Sequence, residues 1–288
     1  MKVLVLGAGN MGAGFVKQLA KAGHQVSVTA RSPEKAQALA AANPGVQAVA
    51  VANAAAAADV IVLATGYADA VPALQSLGNL AGKTVIDITN PLTADYMGLT
   101  LGHSTSAAEE IAKAVPGANI VKAFNTVFAQ VLAEGANFGN GQTVSVFVAS
   151  DSEAAKQTAV ALAQSMGFGT VDAGGLKNAR YLEPLAGLNI YLGYGAGLGT
   201  SNCCRTMAGS PGTTLTGTRS PAIVTLTRPR PFIACAALIS TFCSTSWHCD
   251  GSACTRPLVP ATVTSMPASI PARLAAERPG AGATAVVE

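Results

Sequence analysis

The chain has 288 residues, of which 50% are hydrophobic and 11% are charged, and its formal net charge at pH 7 is +3. This length allows one or two domains with a sizeable core, and the composition excludes a disordered chain and a nucleic-acid-coating protein. The charge is uneven, because residues 1–200 sum to −1 and residues 201–288 sum to +4. All six cysteines and the single tryptophan also fall within residues 201–288.

Apolar strands and helices alternate along residues 1–200. Apolar runs predict strands at residues 2–6, 25–29, 46–51, 59–65, 83–89, 120–124 and 143–149, with a short extended segment at 170–172. Cap residues predict helices that begin after Ser32 and Ser106, after a capping box at residues 150–153, and after Asn178. Buried strands separated by helices are typical of a parallel sheet covered on both faces. The predicted fold class is therefore α/β, a Rossmann-type doubly wound parallel sheet with a small α/β C-terminal extension.

A glycine turn with the sequence GAGNMG follows the first strand at residues 7–12 and opens a helix. In this context Gly7 permits the tight turn, Gly9 lets the backbone approach a diphosphate, and Gly12 lets the helix pack closely on the strand. The N–H groups at the helix start and the positive end of its dipole would bind the phosphates. The alternative is a glycine turn that serves packing alone.

The end of the second strand discriminates between the two nicotinamide dinucleotides. An NAD site places a carboxylate there, about 20 residues past the glycines, to bind the ribose hydroxyls. This chain has Arg31 and Ser32 at that point, with Lys35 one helical turn further on. Two cations, a hydroxyl and a helix start favour a 2′-phosphate, so the predicted cofactor is NADP(H). The alternative is that Arg31 and Lys35 are solvated and Ser32 is only a cap.

Several separated motifs resemble one family of reductases. They are VLGAGNMG at residues 5–12, ARS at 30–32, DITNP at 87–91, VKAFNT at 121–126 and DAGGLKNAR at 172–180. These segments resemble the NADPH-dependent reductases of coenzyme F420, which is an 8-hydroxy-5-deazaflavin. They also resemble the cytosolic reductase domain of the STEAP-type metalloreductases, which pass electrons from NADPH to a flavin. The resemblance spans residues 1–200 and is not specific for the electron acceptor.

The resemblance implies that NADPH lies along the carboxyl edge of the sheet and that a deazaflavin or flavin stacks against the nicotinamide. Carried over by position, the cofactor-binding residues are Gly7, Gly9, Asn10, Met11, Gly12, Arg31, Ser32, Lys35, Ala64, Thr65 and Gly66. The residues expected to line the acceptor side are Asn90, Pro91, Ala123, Phe124 and Asn125. The resemblance also implies a homodimer, and no metal site is predicted.

Hydride transfer between two cofactor rings needs few catalytic side chains, because the cofactors themselves carry out the difficult step. We therefore expect no catalytic triad. His103 is an acid/base candidate, although a lone histidine just before a helix is more often a cap or a satisfied loop residue. Asp87, near the carboxyl edge of the sheet, either orders a ribose or a loop, or caps local backbone.

The leading hypothesis is an NADP(H)-dependent oxidoreductase that transfers hydride between NADPH and coenzyme F420 or a flavin. One alternative is a non-catalytic NADPH-binding redox sensor, and another is a ferric or metal reductase that works through a flavin. A dehydrogenase of β-hydroxyacids or imines ranks last. It predicts a catalytic lysine in a long helical C-terminal domain, for which residues 126–200 are too short.

The sequence predicts three regions. They are an NADP-binding domain at residues 1–125, a small α/β extension on the acceptor and dimer side at residues 126–200, and an aberrant tail at residues 201–288. The tail is rich in Ser, Thr, Pro and Arg and contains no lysine, which favours a frameshifted or read-through product that is largely disordered. The alternative is a zinc or disulfide module, but its cysteines contain no C-x-x-C pair.

The sequence also predicts the cellular compartment. The apolar start reaches a glycine too early for a secretory leader, and the longest apolar run, at residues 231–243, is shorter than the roughly 20 residues of a membrane span. Residues 1–200 contain no cysteine, so nothing there depends on an oxidising compartment. We expect a cytoplasmic protein whose partner is a small-molecule redox acceptor, without nucleic-acid or membrane partners.

Overall fold

A computed structural model describes residues 1–52, 54–137 and 143–200, so the predicted tail lies outside the described residues. Eight strands in these ranges form one sheet: β1 Lys2–Leu6, β2 Gln25–Thr29, β3 Gln47–Ala48, β4 Val60–Leu63, β5 Thr84–Asp87, β6 Asn119–Ala123, β7 Ser145–Ala149 and β8 Gly169–Asp172. The α-helices are α1 Asn10–Lys21, α2 Pro33–Ala41, α3 Tyr67–Ser76, α4 Ala107–Ala114, α5 Ala129–Glu134, α6 Glu153–Ser165 and α7 Ala179–Ile190. A π-helical segment, Tyr191–Gly195, follows α7. No helix within the described ranges has the length and apolar character needed to cross a membrane.

The sheet has the strand order β3-β2-β1-β4-β5-β6-β7-β8. Its first six strands all pair in parallel, which is the arrangement of a dinucleotide-binding sheet. The predicted fold class is therefore confirmed. The chain order reverses between β1 and β4, and ligands of such sheets bind in the crevice beyond the carboxyl ends of the strands at this point.

One strand pair departs from the predicted parallel sheet. β7 runs antiparallel to β6, with Lys122 opposite Ala149. The connection between them includes the short helix α5 and an isolated bridge between Asn137 and Thr143. An antiparallel pair does not need the long crossover connection that a parallel pair needs. The sequence does not predict α5, because its six residues carry no capping side chain.

Strand β1 shows why the buried strands read as continuous apolar runs. Its Val3 and Val5 belong to one buried hydrophobic cluster, whereas Leu4 and Leu6 belong to another. Successive side chains of a strand point to opposite faces of the sheet. Since helices cover both faces, no polar face is left to alternate with the apolar one.

The helix starts test the predicted caps. The hydroxyls of Ser32 and Ser106 each accept a hydrogen bond from the backbone N–H three residues on, as predicted. The predicted capping box at residues 150–153 is wrong by two residues, because Ser152 is the cap of α6. The Ser150 hydroxyl instead donates to the Ile120 carbonyl at 2.7 Å, which ties it to the neighbouring strand.

Candidate functional site

The glycine turn brings backbone segments into close contact at the carboxyl edge of the sheet. Gly7 has a φ of +126°, and its N–H donates to the Thr29 carbonyl at 2.8 Å. A Cβ at Gly7 would lie 2.3 Å from the Ala64 carbonyl oxygen, and a Cβ at Gly12 would lie 2.0 Å from that of Gly7. Side-chain atoms do not fit at such distances, so both positions require glycine for packing.

Gly9 has a different environment from the other two glycines. It is the N-cap residue of α1, and no side chain caps this helix start. A Cβ at Gly9 would meet no atom within 4 Å, so packing within the protein does not require glycine there. The first N–H groups of a helix lack intrahelical partners, and the absent side chain lets an anionic group reach them. This geometry fits a dinucleotide diphosphate.

A cleft of about 630 Å³ lies beside the glycine turn, and we call it the nucleotide cleft. Eight of the predicted cofactor residues line it: Gly7, Gly9, Arg31, Ser32, Lys35, Ala64, Thr65 and Gly66. Asn10 and Met11 line the adjoining cleft instead, and Gly12 packs within α1. Among the described residues, the Thr65 hydroxyl is a buried polar group without a hydrogen-bond partner.

The cationic end of the nucleotide cleft is open to solvent. The Arg31 side chain is 91% exposed, and its Nη1 lies 3.7 Å from Oδ1 of Asp69. The Ser32 hydroxyl accepts a hydrogen bond from the Lys35 N–H and donates one to the Glu34 carboxylate. The bond to Glu34 holds the pKa of that carboxyl below its ordinary value. Ser32 is therefore a cap and also a cleft residue. The sequence did not predict Asp69, which reaches this cleft from the first turn of α3.

A second cleft, of about 700 Å³, adjoins the first, and we call it the apolar cleft. Gly9, Ala64 and Gly66 line both clefts. Most of the other lining residues are apolar or aromatic: Met11, Ile88, Leu92, Tyr96, Met97, Val127, Phe128, Ala129, Ala186, Ile190 and Tyr194. Within the described residues, Asp95 is the only charged side chain that lines this cleft. The wall comes from distant segments of the chain, so local sequence patterns could not identify it.

Two asparagines form a rigid part of the apolar cleft. Asn90 Nδ2 donates to the Asn125 carbonyl at 2.8 Å, while Asn125 Nδ2 donates to Asn90 Oδ1 at 3.0 Å and to the Leu182 carbonyl at 2.8 Å. The preceding residue, Phe124, has a φ of +59°, which is strained for a bulky side chain. Its buried ring packs edge-on against Phe15 with centroids 5.0 Å apart, and this packing holds the turn that carries Asn125.

The structure brings two of the five predicted acceptor-side residues, Asn90 and Asn125, to the apolar cleft. Ala123 and Phe124 belong to the hydrophobic core, with exposures of 0% and 1%. Pro91 is buried, and its carbonyl accepts hydrogen bonds from the loop that follows. The side chains of Ala123, Phe124 and Pro91 therefore do not line the cleft, so the prediction is wrong for these three residues.

His103 lies away from both clefts. It occupies the loop before α4 with a φ of +58°, and it lines a separate groove with Lys177 and Arg180. The structure does not bring His103 to the residues of the nucleotide cleft or the apolar cleft. Its position fits the loop-residue interpretation rather than an acid/base role.

Three charged side chains, none predicted as a group, are buried together at the ends of β5 and β6 and within α7. Lys122 Nζ lies 2.8 Å from Asp87 Oδ2 and 2.8 Å from Glu183 Oε1. Burial alone would lower the pKa of Lys122, but the two carboxylates raise it above its ordinary value. Asp87 Oδ1 accepts from the Thr89 N–H at 2.8 Å, so Asp87 caps local backbone, one of its two predicted roles. The sequence contained one sign of this cluster: Lys122 lies within the largely apolar strand β6, where a charged side chain needs buried partners.

Comparisons with known proteins place the chain among reductases. The family described as NADP oxidoreductase, coenzyme F420-dependent, matches residues 2–91, which include the glycine turn. An F420-dependent NADP reductase of Methanothermobacter marburgensis is 31% identical over 211 residues, covering 67% of this chain and 92% of that protein. The chain belongs to the F420-dependent NADP reductase family. This confirms the predicted resemblance, and the relatives are NADP-dependent oxidoreductases.

Two further proteins are similar to this member of the F420-dependent NADP reductase family. A crystal structure from Arthrobacter sp. FB24, assigned as an F420-dependent NADP reductase, matches with a TM-score of 0.63 and 32% identity over 70% of this chain and 96% of that one. The metalloreductase STEAP3 of Rattus norvegicus is 31% identical over 185 residues, or 64% of this chain and 36% of that protein. The chain spans about a third of the length of the metalloreductases it matches.

Proposed function

We propose that the chain transfers hydride between NADPH and a planar ring acceptor, coenzyme F420 or a flavin. The observation that carries this proposal is the junction of the two clefts at Gly9, Ala64 and Gly66. One cleft offers helix N–H groups and cations, and the other offers an apolar space suited to a ring. Two ligands held in these clefts would meet at the shared residues, as a direct transfer requires.

The nucleotide cleft has a distinct role for each part of its lining. The first N–H groups of α1, left accessible by Gly9, would bind the diphosphate. Arg31 and Lys35 would bind the 2′-phosphate, which distinguishes NADP(H) from NAD(H). NADPH, when bound, supplies the hydride. The Arg31 guanidinium would then exchange its long contact with Asp69 for the phosphate.

The apolar cleft would orient the acceptor and exclude water. Its aromatic and aliphatic wall suits a flat ring system, and the reciprocal hydrogen bonds of Asn90 and Asn125 keep one side of it fixed. No acid or base from the chain is needed for the hydride itself. The names of the reductase relatives favour F420 as the acceptor, and the likeness to metalloreductases supports testing a flavin as well.

An acceptor screen tests the proposed reaction. The full chain is mixed anaerobically with NADPH and, in turn, F420, a flavin or a ferric chelate, and the nicotinamide absorbance is followed. We expect loss of absorbance with F420 or the flavin. Tight NADPH binding without turnover of any acceptor would instead indicate a redox sensor, and turnover of ferric chelate only with added flavin would indicate a metal reductase.

The Arg31→Ala substitution tests the nucleotide cleft. We expect the Kd for NADPH to rise by ~10- to 100-fold, since a charge-assisted contact is worth about 1–3 kcal/mol. Binding of NADH should change little, because it lacks the 2′-phosphate. Titration calorimetry measures both, and Lys21→Ala, which removes a cation from the last turn of α1, serves as a control. Equal losses for the two nucleotides would show that Arg31 does not contact the extra phosphate.

We also propose, from the family resemblance, that the chain forms a homodimer in the cytoplasm and that residues 126–200 form its acceptor and dimer side. The support for a dimer is a group of exposed apolar side chains in and after α7. Leu188, Tyr191 and Leu198 are 52%, 51% and 49% exposed. Light scattering on the full chain measures the mass, and a monomer at micromolar concentration would contradict the dimer.

A further inference from the structure

The buried charges of Asp87, Lys122 and Glu183 form a closed cluster, and we call it the buried triad. Lys122 Nζ donates to Asp87 Oδ2 at 2.8 Å and to the Thr89 carbonyl at 2.7 Å, and lies 2.8 Å from Glu183 Oε1. Three acceptors thus match the three N–H groups of the ammonium. None of the three charged side chains is more than 2% exposed. A charge buried this deeply is tolerated only when it is fully paired.

Both carboxylates of the buried triad also hold backbone N–H groups. Glu183 Oε2 accepts from Ala107 at 2.8 Å, and Oε1 accepts from Ala108 at 3.2 Å, at the start of α4. Asp87 Oδ1 accepts from Thr89 at 2.8 Å. Two carboxylates and one ammonium leave one net negative charge, which the positive end of the α4 dipole favours. The buried triad therefore joins β5, β6, α4 and α7 through short polar contacts.

Three of the elements that meet at the buried triad also lead to one side of the apolar cleft: α7 and the segments that follow β5 and β6. The wall residues that follow β5 and β6 or lie on α7 include Ile88, Asn90, Asn125, Ala186, Asn189 and Ile190. Two more hydrogen bonds join the segment after β6 to α7. Asn125 donates to the Leu182 carbonyl and Asn189 donates to the Thr126 carbonyl, both at 2.8 Å. The nucleotide cleft, in contrast, is lined by residues 6–9, 30–32, 35, 51, 64–66, 69, 72, 73 and 76, and none of these belongs to the buried triad.

We infer that the buried triad is a positioning device for the acceptor, which fixes α7 and the segment after β5 against β6 and thereby sets the shape of the apolar cleft. Its three side chains line neither cleft, so they act through the wall and not by touching a ligand. Charge-assisted hydrogen bonds in a buried site are strong and resist sliding of one element over another. The identity of the acceptor in this inference rests on the proposed function. The geometry of the cleft wall does not depend on it.

The Glu183→Gln substitution tests this inference with little change in shape. We expect the KM for the acceptor to rise by about fivefold or more, with the Kd for NADPH and kcat changed by about twofold or less. Asp87→Asn provides a second variant with the same expected split. The matched control is Asp172→Asn, which removes a carboxylate 3.0 Å from Lys156 Nζ, on residues that line neither cleft. We expect the control to leave both constants unchanged.

Amide hydrogen exchange supplies a readout that needs no acceptor. In Glu183→Gln, residues 88–92 and 179–190 should exchange about tenfold faster than in the unsubstituted chain, while β1 and α1 keep their protection. An increase spread evenly over the sheet, an unchanged acceptor KM, or parallel losses for NADPH and acceptor would overturn the inference. Failure of both carboxylate variants to fold would also overturn it, since the buried triad would then serve global stability. Absence of turnover by the unsubstituted chain would refute the proposed function, and the exchange pattern would still decide the inference.

Discussion

At the scale of single residues, the three glycines of the turn satisfy different physical demands. Gly7 and Gly12 are required by backbone contacts, because an added Cβ would lie 2.3 Å and 2.0 Å from carbonyl oxygens. Gly9 has open space where its side chain would be. The packing of the protein therefore does not require glycine at Gly9. A ligand that approaches the α1 N-terminus would require it, because a side chain there would stand in its way.

Alanine at Gly9 and at Gly12 should separate binding from stability. We expect Gly9→Ala to change the free energy of unfolding by about 1 kcal/mol or less, and to weaken NADPH binding because the methyl group blocks the diphosphate. Gly12→Ala should destabilise the fold by about 3 kcal/mol or more, since the clash is with backbone. Urea unfolding and NADPH titration measure the two effects. Full NADPH affinity in Gly9→Ala would contradict the assigned role.

At the scale of elements, a partly buried ion pair adds to the contact between α4 and α7. Arg180 donates from Nε and Nη2 to the two carboxylate oxygens of Glu109 at 2.8 Å and 2.6 Å. The hydrogen bonds from Arg180, with a smaller contribution from the Ser106 hydroxyl, hold the pKa of Glu109 below its ordinary value. The two helices are thus joined by this pair on the outside and by Glu183 on the inside.

The lowered pKa of Glu109 predicts a pH dependence of stability. A carboxyl with a folded-state pKa below its unfolded value stabilises the protein above the unfolded pKa, and this contribution is lost as the pH falls through the folded one. We therefore expect the free energy of unfolding to fall in acid below the ordinary carboxyl range, and Glu109→Gln to reduce that fall. Urea unfolding between pH 7 and roughly pH 3 measures it. Parallel curves for the two proteins would show that the pair contributes nothing.

At the scale of the whole molecule, the clefts follow from the order of the strands. The nucleotide cleft lies at the point where the sheet reverses its order between β1 and β4, which is where such sheets bind ligands. The apolar cleft draws its wall from loops after β5 and β6 and from α7.

A chain that ends at Thr200 is expected to retain nucleotide binding, because the family match covers residues 2–91. The predicted cofactor-binding residues all lie between Gly7 and Gly66, within that match. We expect the Kd for NADPH of the shortened chain to lie within about twofold of that of the full chain. Calorimetry on both chains checks this result. A large loss of affinity would show that residues 201–288 take part in binding, against the prediction of an aberrant tail.

The sequence by itself determined the strand and helix order, the glycine turn and the cationic end of the nucleotide cleft. These features are local, because an apolar run, a helix cap or a glycine spacing is written in neighbouring residues. Even so, local signals misplaced the start of α6, which depends on a bond between Ser150 and the neighbouring strand. They also missed α5, which is short and lacks a cap.

Only the tertiary structure decided which motif residues reach a cleft and which support it from within. Asn90 and Asn125 reach the apolar cleft, whereas Phe124 turns into the core. The buried triad unites residues from two strands and a helix. Charges that are distant in sequence can pair in a buried site only when the sheet and the packed helix bring them within hydrogen-bond distance. Their spacing along the chain does not indicate that they will meet.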